Sequence, residues 1–214
     1  MDTKEMFALA EKDDAEALIP ALGSAETSKV RNAAGESVFA FSVFRGRAKC
    51  TEALKKRGGL HLQDAALAGD VGRVATLLNA APWAIDTLSP DGWTALHLAA
   101  FFGNDAVVVT LLERGADPHV QSRAFEFNFA MHAAAAGGRI GKDAFAKLIV
   151  ATGVDALQKQ GYSALMIAAS NGFAAGVDVL LAAGADKTIA LGDGKTAADI
   201  AKDRGHAELE KRLR

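Results

Sequence analysis

One position recurs along the chain at nearly constant intervals, and this internal period limits the possible folds more than any other feature. Aligning the segments that resemble one another places that position at Asp13, Gly46, Gly69, Gly103, Gly138, Gly172 and Gly205. Five of the six intervals lie between 33 and 35 residues, and the remaining one is 23. A repeat of this length predicts stacked supersecondary units, each too small to bury its own apolar face alone.

The apolar residues within each unit have the spacing of an α-helix. The positions four, five, eight and nine after the recurring glycine are apolar in the clearest unit, where they hold Val107, Val108, Leu111 and Leu112. This spacing puts the four side chains on one helix face. Alanine pairs precede the glycine, and Gly, Asp and Pro clusters of turn type separate the units. The pattern predicts helix, tight turn, helix and loop, repeated seven times.

The segment DGWTALHLAAFFGNDAVVVTLLERGAD, residues 91–117, resembles the ankyrin repeat. It holds the start of that repeat, its histidine, alanine pair, glycine, Val/Leu stripe and Gly-Ala-Asp end at Gly92, Thr94, Leu96, His97, Ala99, Ala100, Gly103, Val107, Val108, Leu111, Leu112, Gly115, Ala116 and Asp117. Alanine replaces the usual proline after the threonine, which costs a first helical turn little. The resemblance extends over nearly the whole chain and implies an all-α ankyrin-repeat solenoid of about seven helix-turn-helix units with short or irregular β-hairpin fingers.

We expect a single domain over residues 1–214, whose first and last units act as polar caps. The predicted units span about 3–34, 35–59, 60–88, 89–121, 122–157, 158–190 and 191–214. The one short interval indicates that the connection after the second unit is abbreviated. Gly58 and Gly59 stand there in place of a longer finger.

The fifth unit departs most from the pattern. Phe129 stands at the threonine position and Phe127 at the finger glycine, two extra residues lengthen the finger, and three more separate the helices around 139–141. The finger glycine normally adopts a positive φ, which a phenylalanine resists. We therefore do not expect residues 122–129 to form the usual hairpin.

The overall charge excludes several classes of partner. Lys and Arg total 24 against 26 Asp and Glu, a net charge of −2 that attracts neither nucleic acid nor anionic lipid in general. The basic run over residues 45–57 is interpreted either as a solvated helix face or as a contact for an acidic partner.

No stretch reaches the roughly 20 apolar residues of a membrane span, and a single cysteine makes no intrachain disulfide. We expect a cytoplasmic monomer that binds neither nucleic acid nor membrane.

The chemically suggestive residues lack the partners that catalysis or metal binding requires. GDGKT at 192–196 ends like a phosphate loop, but Ile189 stands where that loop needs its first glycine. The five histidines form no metal-binding pair, and Cys50 falls on the buried stripe. His97 and His132 occupy the histidine position of the repeat and are expected to bridge a hydroxyl and a backbone carbonyl between units. We expect no enzymatic activity, no cofactor and no metal.

The resemblance implies that finger residues and the two residues after the alanine pair line the concave side. Aromatic side chains gather there in the fourth unit, flanked by polar residues, which is typical of interface anchors. The candidate protein-binding residues are Phe44, Arg45, Asp91, Trp93, Phe101, Phe102, Phe125, Asn128, Tyr162, Ser170 and Asn171. The aromatic rings either contact a partner or pack between units, and the sequence leaves both open.

The predicted function is a non-enzymatic protein–protein interaction module with a concave helical surface. One alternative is a regulatory subunit of an enzyme partner, which the resemblance to small bacterial ankyrin proteins allows. A less favoured alternative is a hydrolase hidden in the repeat groove. The hydrolase would require one cleft that gathers His97 or His132 with Cys50.

Overall fold

The structure is a computed structural model that describes residues 2–123 and 128–214. Over those ranges it contains helices and isolated β-bridges but no strand. The α-helices are α1 (Thr3–Glu11), α2 (Ala15–Ala21), α3 (Val38–Phe44), α4 (Ala48–Arg57), α5 (Leu62–Leu67), α6 (Val71–Ala80), α7 (Ala95–Phe102), α8 (Asp105–Glu113), α9 (Ala130–Gly137), α10 (Lys142–Thr152), α11 (Ala164–Ser170), α12 (Ala174–Ala182), α13 (Ala197–Asp203) and α14 (Ala207–Leu213). The predicted all-α fold is confirmed.

Consecutive helices form antiparallel pairs, and each pair lies against its sequence neighbours. The odd-numbered helices contact one another in order from α1 to α13 and form an inner layer. Even-numbered helices such as α8, α10 and α12 pack side by side in an outer layer. One cluster of buried apolar side chains runs through the stack from Phe7 to Leu213. The helix pairs therefore share a continuous core, as the repeat predicts.

Each inner helix begins and ends with local chemistry that the sequence encodes. The Thr94 side chain caps α7 by accepting a hydrogen bond from the backbone N–H of His97. Ser163 and Thr196 cap α11 and α13 in the same way. Gly103 ends α7 with a φ of 73°, a left-handed conformation that glycine adopts without steric cost.

The repeat histidines bond to backbone further along the chain, and His97 thereby connects the fourth unit to the fifth. His97 Nε2 lies 2.9 Å from the carbonyl oxygen of Asn128, so it carries the proton and Nδ1 accepts from the Thr94 hydroxyl at 2.7 Å. His132 Nε2 likewise donates to the carbonyl of Ala156 at 3.0 Å, but its Nδ1 accepts from the backbone N–H of Phe129. The predicted bridge is confirmed for His97. At His132 a backbone N–H replaces the hydroxyl, because phenylalanine has none.

The fingers close with one recurring backbone hydrogen bond. The donor N–H and the acceptor carbonyl lie four residues apart in the pairs Asn32–Glu36, Ser89–Trp93, Gln158–Tyr162 and Leu191–Lys195. In the fifth unit the Ser122 N–H donates to the Asn128 carbonyl at 3.0 Å, six residues further on. The two-residue lengthening is thus confirmed, but the base of this finger keeps a closing bond that we did not expect. Phe125 and Phe127 lie outside the described residues.

The third unit has no finger, as the short interval predicts. The loop that follows α2 fills the space instead: the Thr27 hydroxyl donates to the Gly58 carbonyl at 2.8 Å. Asp64, which directly follows the repeat's histidine position at Gln63, is buried and accepts hydrogen bonds from the hydroxyls of Ser28 and Ser37 at 2.5 and 2.7 Å. Burial raises the pKa of Asp64, and these two hydroxyls partly offset that rise.

Candidate functional site

The inner helices and the fingers line two adjoining grooves on the concave face. The N-terminal groove has a volume of about 730 Å³, and its lining includes Glu36, Val43, Phe44, Arg45, Asp91, Leu98, Phe102 and Arg139. The C-terminal groove has a volume of about 880 Å³, and its lining includes Asn128, His132, Gln158, Tyr162, Ser170, Asn171, Lys195, Asp203 and Arg204. Trp93 and Phe101 line both grooves. Ten of the eleven candidate residues therefore lie together on this face, and Phe125 is the one outside the described residues.

A row of rings, the aromatic ridge, consists of Phe44, Phe102, Phe101 and Trp93, of which only Phe101 and Trp93 line both grooves. Phe44 stacks on Phe102 with centroids 5.7 Å apart, Phe102 meets Phe101 at 5.2 Å, and Phe101 meets Trp93 at 6.4 Å. The three phenylalanines are half-buried. Each ring therefore packs between units and still presents part of its surface to the grooves.

Two candidates are more buried than we expected. Trp93 and Asn128 are both 8% exposed. The Asn128 side chain accepts a hydrogen bond from the Ser122 hydroxyl at 3.0 Å, and its carbonyl accepts from His97. These two residues hold the finger bases in place, so the accessible surface belongs mainly to their neighbours.

The fourth and fifth units approach each other unusually closely at the ridge. A β-carbon at Gly137 would overlap the carbonyl oxygen of Phe101, so only glycine fits there. The residues inserted after α9 then place the Arg139 guanidinium over the Phe102 ring, 5.8 Å from its centroid. Sequence reasoning found the insertion around 139–141 but missed Arg139 as a groove residue. The signal that could have identified Arg139 is the position of this insertion, directly after the end of an inner helix.

The charged side chains that line the C-terminal groove balance one another. Lys195 forms an ion pair with Asp203 at 2.7 Å, and this hydrogen bond raises the pKa of Lys195. Arg204 and Asp193 add one charge of each sign. Gln160, Tyr162, Ser170 and Asn171 add amide and hydroxyl groups, and aliphatic and aromatic side chains contribute apolar surface between them. The groove can donate and accept hydrogen bonds without a strong preference for the sign of a ligand's charge.

The residues that a hidden hydrolase would need lie apart. Cys50 is fully buried in the second unit, where its backbone N–H donates to the Asp13 carboxylate at 2.8 Å. Burial raises the pKa of the Cys50 thiol to about 12, whereas a nucleophilic cysteine needs a lowered pKa. His132 lines the C-terminal groove three units away, and burial lowers its pKa to about 4. No cleft gathers the histidine with the cysteine in the part of the chain that the structure describes.

Residues 2–123 and 128–214 contain neither a cluster suited to a metal ion nor a helix that could span a membrane. Histidine, cysteine and acidic side chains there form no group of three or more with metal-binding geometry. Within the same ranges, every helix is too short or too polar to cross a bilayer.

Comparison with known proteins identifies the repeat independently. The family model described as "Ankyrin repeat" matches residues 91–123 and 160–190, which contain helices of the fourth and sixth units. No curated protein matches the chain.

Proposed function

Because the chain belongs to the ankyrin repeat family, we propose that it is a non-enzymatic protein–protein interaction module that binds its partner on the concave face. Ankyrin repeats in general mediate protein–protein interaction. The observation that carries the proposal is the placement of the ten described candidate residues. They come from four different units and meet along two adjoining grooves.

The mechanism we propose is recognition by a preformed surface. The ridge rings are held by one another and by buried finger bases, so binding orders few side chains. Affinity then comes from contact area with a small entropic cost. Half-buried aromatic residues flanked by polar groups supply anchors that can each contribute about 2 kcal/mol or more. In this proposal the protein acts as a cytoplasmic monomer and its partner is another protein.

Affinity capture with matched variants tests the proposal. Tyr162→Ala with Arg204→Ala alters the concave face, and Val150→Ala with Lys147→Ala alters the exposed outer face of α10. We expect the first double variant to lose the proteins that the wild type retains, and the second to keep them. Equal capture by all three proteins would contradict the concave site.

The composition of the captured set separates two forms of the function. Several unrelated proteins would indicate an adaptor. One enzyme captured in stoichiometric amount would indicate a regulatory subunit instead.

A further inference from the structure

The N-terminal groove has opposite charges on its two edges. Glu36 and Asp91 lie in the fingers just before α3 and α7, whereas Arg45 ends α3 and Arg139 follows α9. The inner helices stack side by side and all run from the finger to the turn. The carboxylates therefore share the finger edge of the groove, and the guanidiniums share the turn edge.

The two arginines are positioned but not neutralised. Arg45 lies 4.6 Å from the centroid of the Phe41 ring, and Arg139 lies 5.8 Å from that of Phe102. Neither forms an ion pair with a carboxylate among residues 2–123 and 128–214. Aromatic faces hold the guanidinium planes, and the N–H donors at their edges stay available to an incoming carboxylate.

The floor between these edges is apolar. Val43, Phe44, Phe101 and Phe102 are half-buried, and Leu98 lies beneath them. The width is set mainly by α3, whose seven residues Val38–Phe44 lie between Glu36 and Arg45. At 1.5 Å per residue this helix is about 10 Å long, close to the roughly 10–12 Å diameter of an α-helix with its side chains.

The floor favours a helix over an extended strand as the occupant. It consists of inner-helix residues, whose backbone N–H and carbonyl groups already bond within each helix. An extended peptide would bring its own backbone groups to this apolar floor and find few partners for them. A helix satisfies its backbone internally and presents only side chains, which is the helix-in-groove mode of recognition.

We propose that the N-terminal groove binds an amphipathic α-helix of the partner protein, whose apolar stripe is bordered by acidic side chains on one side and basic side chains on the other. This inference rests on the proposed function and specifies the segment that the partner offers. The acidic border meets Arg45 and Arg139, and the basic border meets Glu36 and Asp91. The two borders must differ in sign because the two edges of the groove do. A helix can lie in the groove in either direction, so the acidic border can be on either side of its apolar stripe.

Three designed helical peptides with one shared apolar stripe test the inference by fluorescence anisotropy at low salt. The first has one acidic and one basic border, the second has two acidic borders, and the third has two basic borders. We expect the mixed peptide to bind wild-type protein roughly tenfold more tightly than either of the others, because only it satisfies both edges. The preference should shrink at high salt, where exposed charges are screened.

Charge reversal at one edge provides the specificity test. Arg45→Glu with Arg139→Glu makes both edges acidic, so the peptide with two basic borders should become the tightest ligand. Lys142→Glu with Lys147→Glu on α10 changes the net charge equally but lies on the outer face, and it should leave the mixed peptide preferred. Arg45→Gln with Arg139→Gln, which removes charge without reversing it, guards against loss of folding in the first variant and should abolish the mixed peptide's advantage over the peptide with two basic borders.

The inference is overturned if wild type binds all three peptides within twofold or binds none. It is also overturned if the groove variant and the α10 variant prefer the same peptide. Either of these peptide results leaves the proposed function intact, provided that the Tyr162→Ala with Arg204→Ala variant fails to capture the proteins that the wild type retains. A failed capture experiment with a successful peptide switch would instead refute only the wider concave site.

Discussion

The ring of Phe44 in the second unit stacks on the ring of Phe102 in the fourth, with centroids 5.7 Å apart and planes 28° from parallel. A whole unit lies between them in sequence. The third unit allows the contact because Ala68, at the repeat position of Phe102, has too small a side chain to separate the rings. The aromatic ridge thus couples units that are not neighbours in the repeat.

The stacked pair should show an energetic coupling. We expect Phe44→Ala and Phe102→Ala to be non-additive by about 0.5–1.5 kcal/mol in the free energy of unfolding, because each loses the same ring contact. A double-mutant cycle by urea denaturation measures this coupling energy between the two rings. Phe44→Ala with Phe145→Ala, whose rings pack against different partners, should be additive. Additive behaviour of the stacked pair would show that the rings do not stabilise each other.

Gly137 should tolerate no side chain. Gly137→Ala places a methyl group against the Phe101 carbonyl, so we expect it to destabilise the protein by about 1–3 kcal/mol. Gly72→Ala in α6 is the matched control, because its methyl group would lie at an ordinary van der Waals distance, 3.7 Å, from the nearest atom, Asp70 Oδ1. That change should stabilise by about 0.4–1 kcal/mol. Equal effects of the two substitutions in thermal or urea melts would refute the close approach of the fourth and fifth units.

Stability should fall in mild acid through the buried histidines. Burial lowers the folded-state pKa of His97 and His132 to about 4, below the ordinary value of 6.5. Between these values the unfolded chain binds protons that the folded chain does not. The contribution of each histidine is therefore complete above pH 6.5 and lost as the pH falls towards 4, up to about 3 kcal/mol each.

Urea denaturation between pH 7 and 4.5 measures this dependence. His97→Gln should start less stable at pH 7, because it loses the bridge to Asn128, but should lose less on acidification than the wild type. Identical pH slopes in the two proteins would mean that His97 is protonated as easily when folded as when unfolded.

Cys50 should be unreactive in the native state. Its side chain is fully buried and burial raises its pKa to about 12, so little thiolate is present or accessible at pH 8. A chromogenic disulfide reagent should titrate no thiol in native protein and one in denaturant. Rapid labelling without denaturant would place Cys50 at the surface and contradict the packing of α4.

The repeat pattern predicted most of the fold because local rules fix each unit. The glycine of the helix turn, the Thr94 cap and the Val/Leu stripe determine where helices begin, end and face, and the 23-residue interval predicted the missing finger. The resemblance to the ankyrin repeat implied which of these equivalent positions line the concave side.

The details of the surface could not be predicted because they depend on contacts between units. The Phe44–Phe102 stack requires a small residue in the third unit, and Arg139 reaches Phe102 only because Gly137 brings two helices close. The burial of Trp93 depends on the fold of its finger, which the repeat position alone does not specify. Distances across the stack decide these features, and the linear pattern does not contain them.

Site-specific photocrosslinking tests most directly whether the partner docks on the concave face. A photoreactive phenylalanine analogue would replace Tyr162 on the concave face in one sample and Val150 on the outer face of α10 in another. We predict a crosslinked adduct with the captured protein from position 162 and none from position 150. An adduct from position 150 alone would place the interface on the opposite side of the molecule and contradict the account.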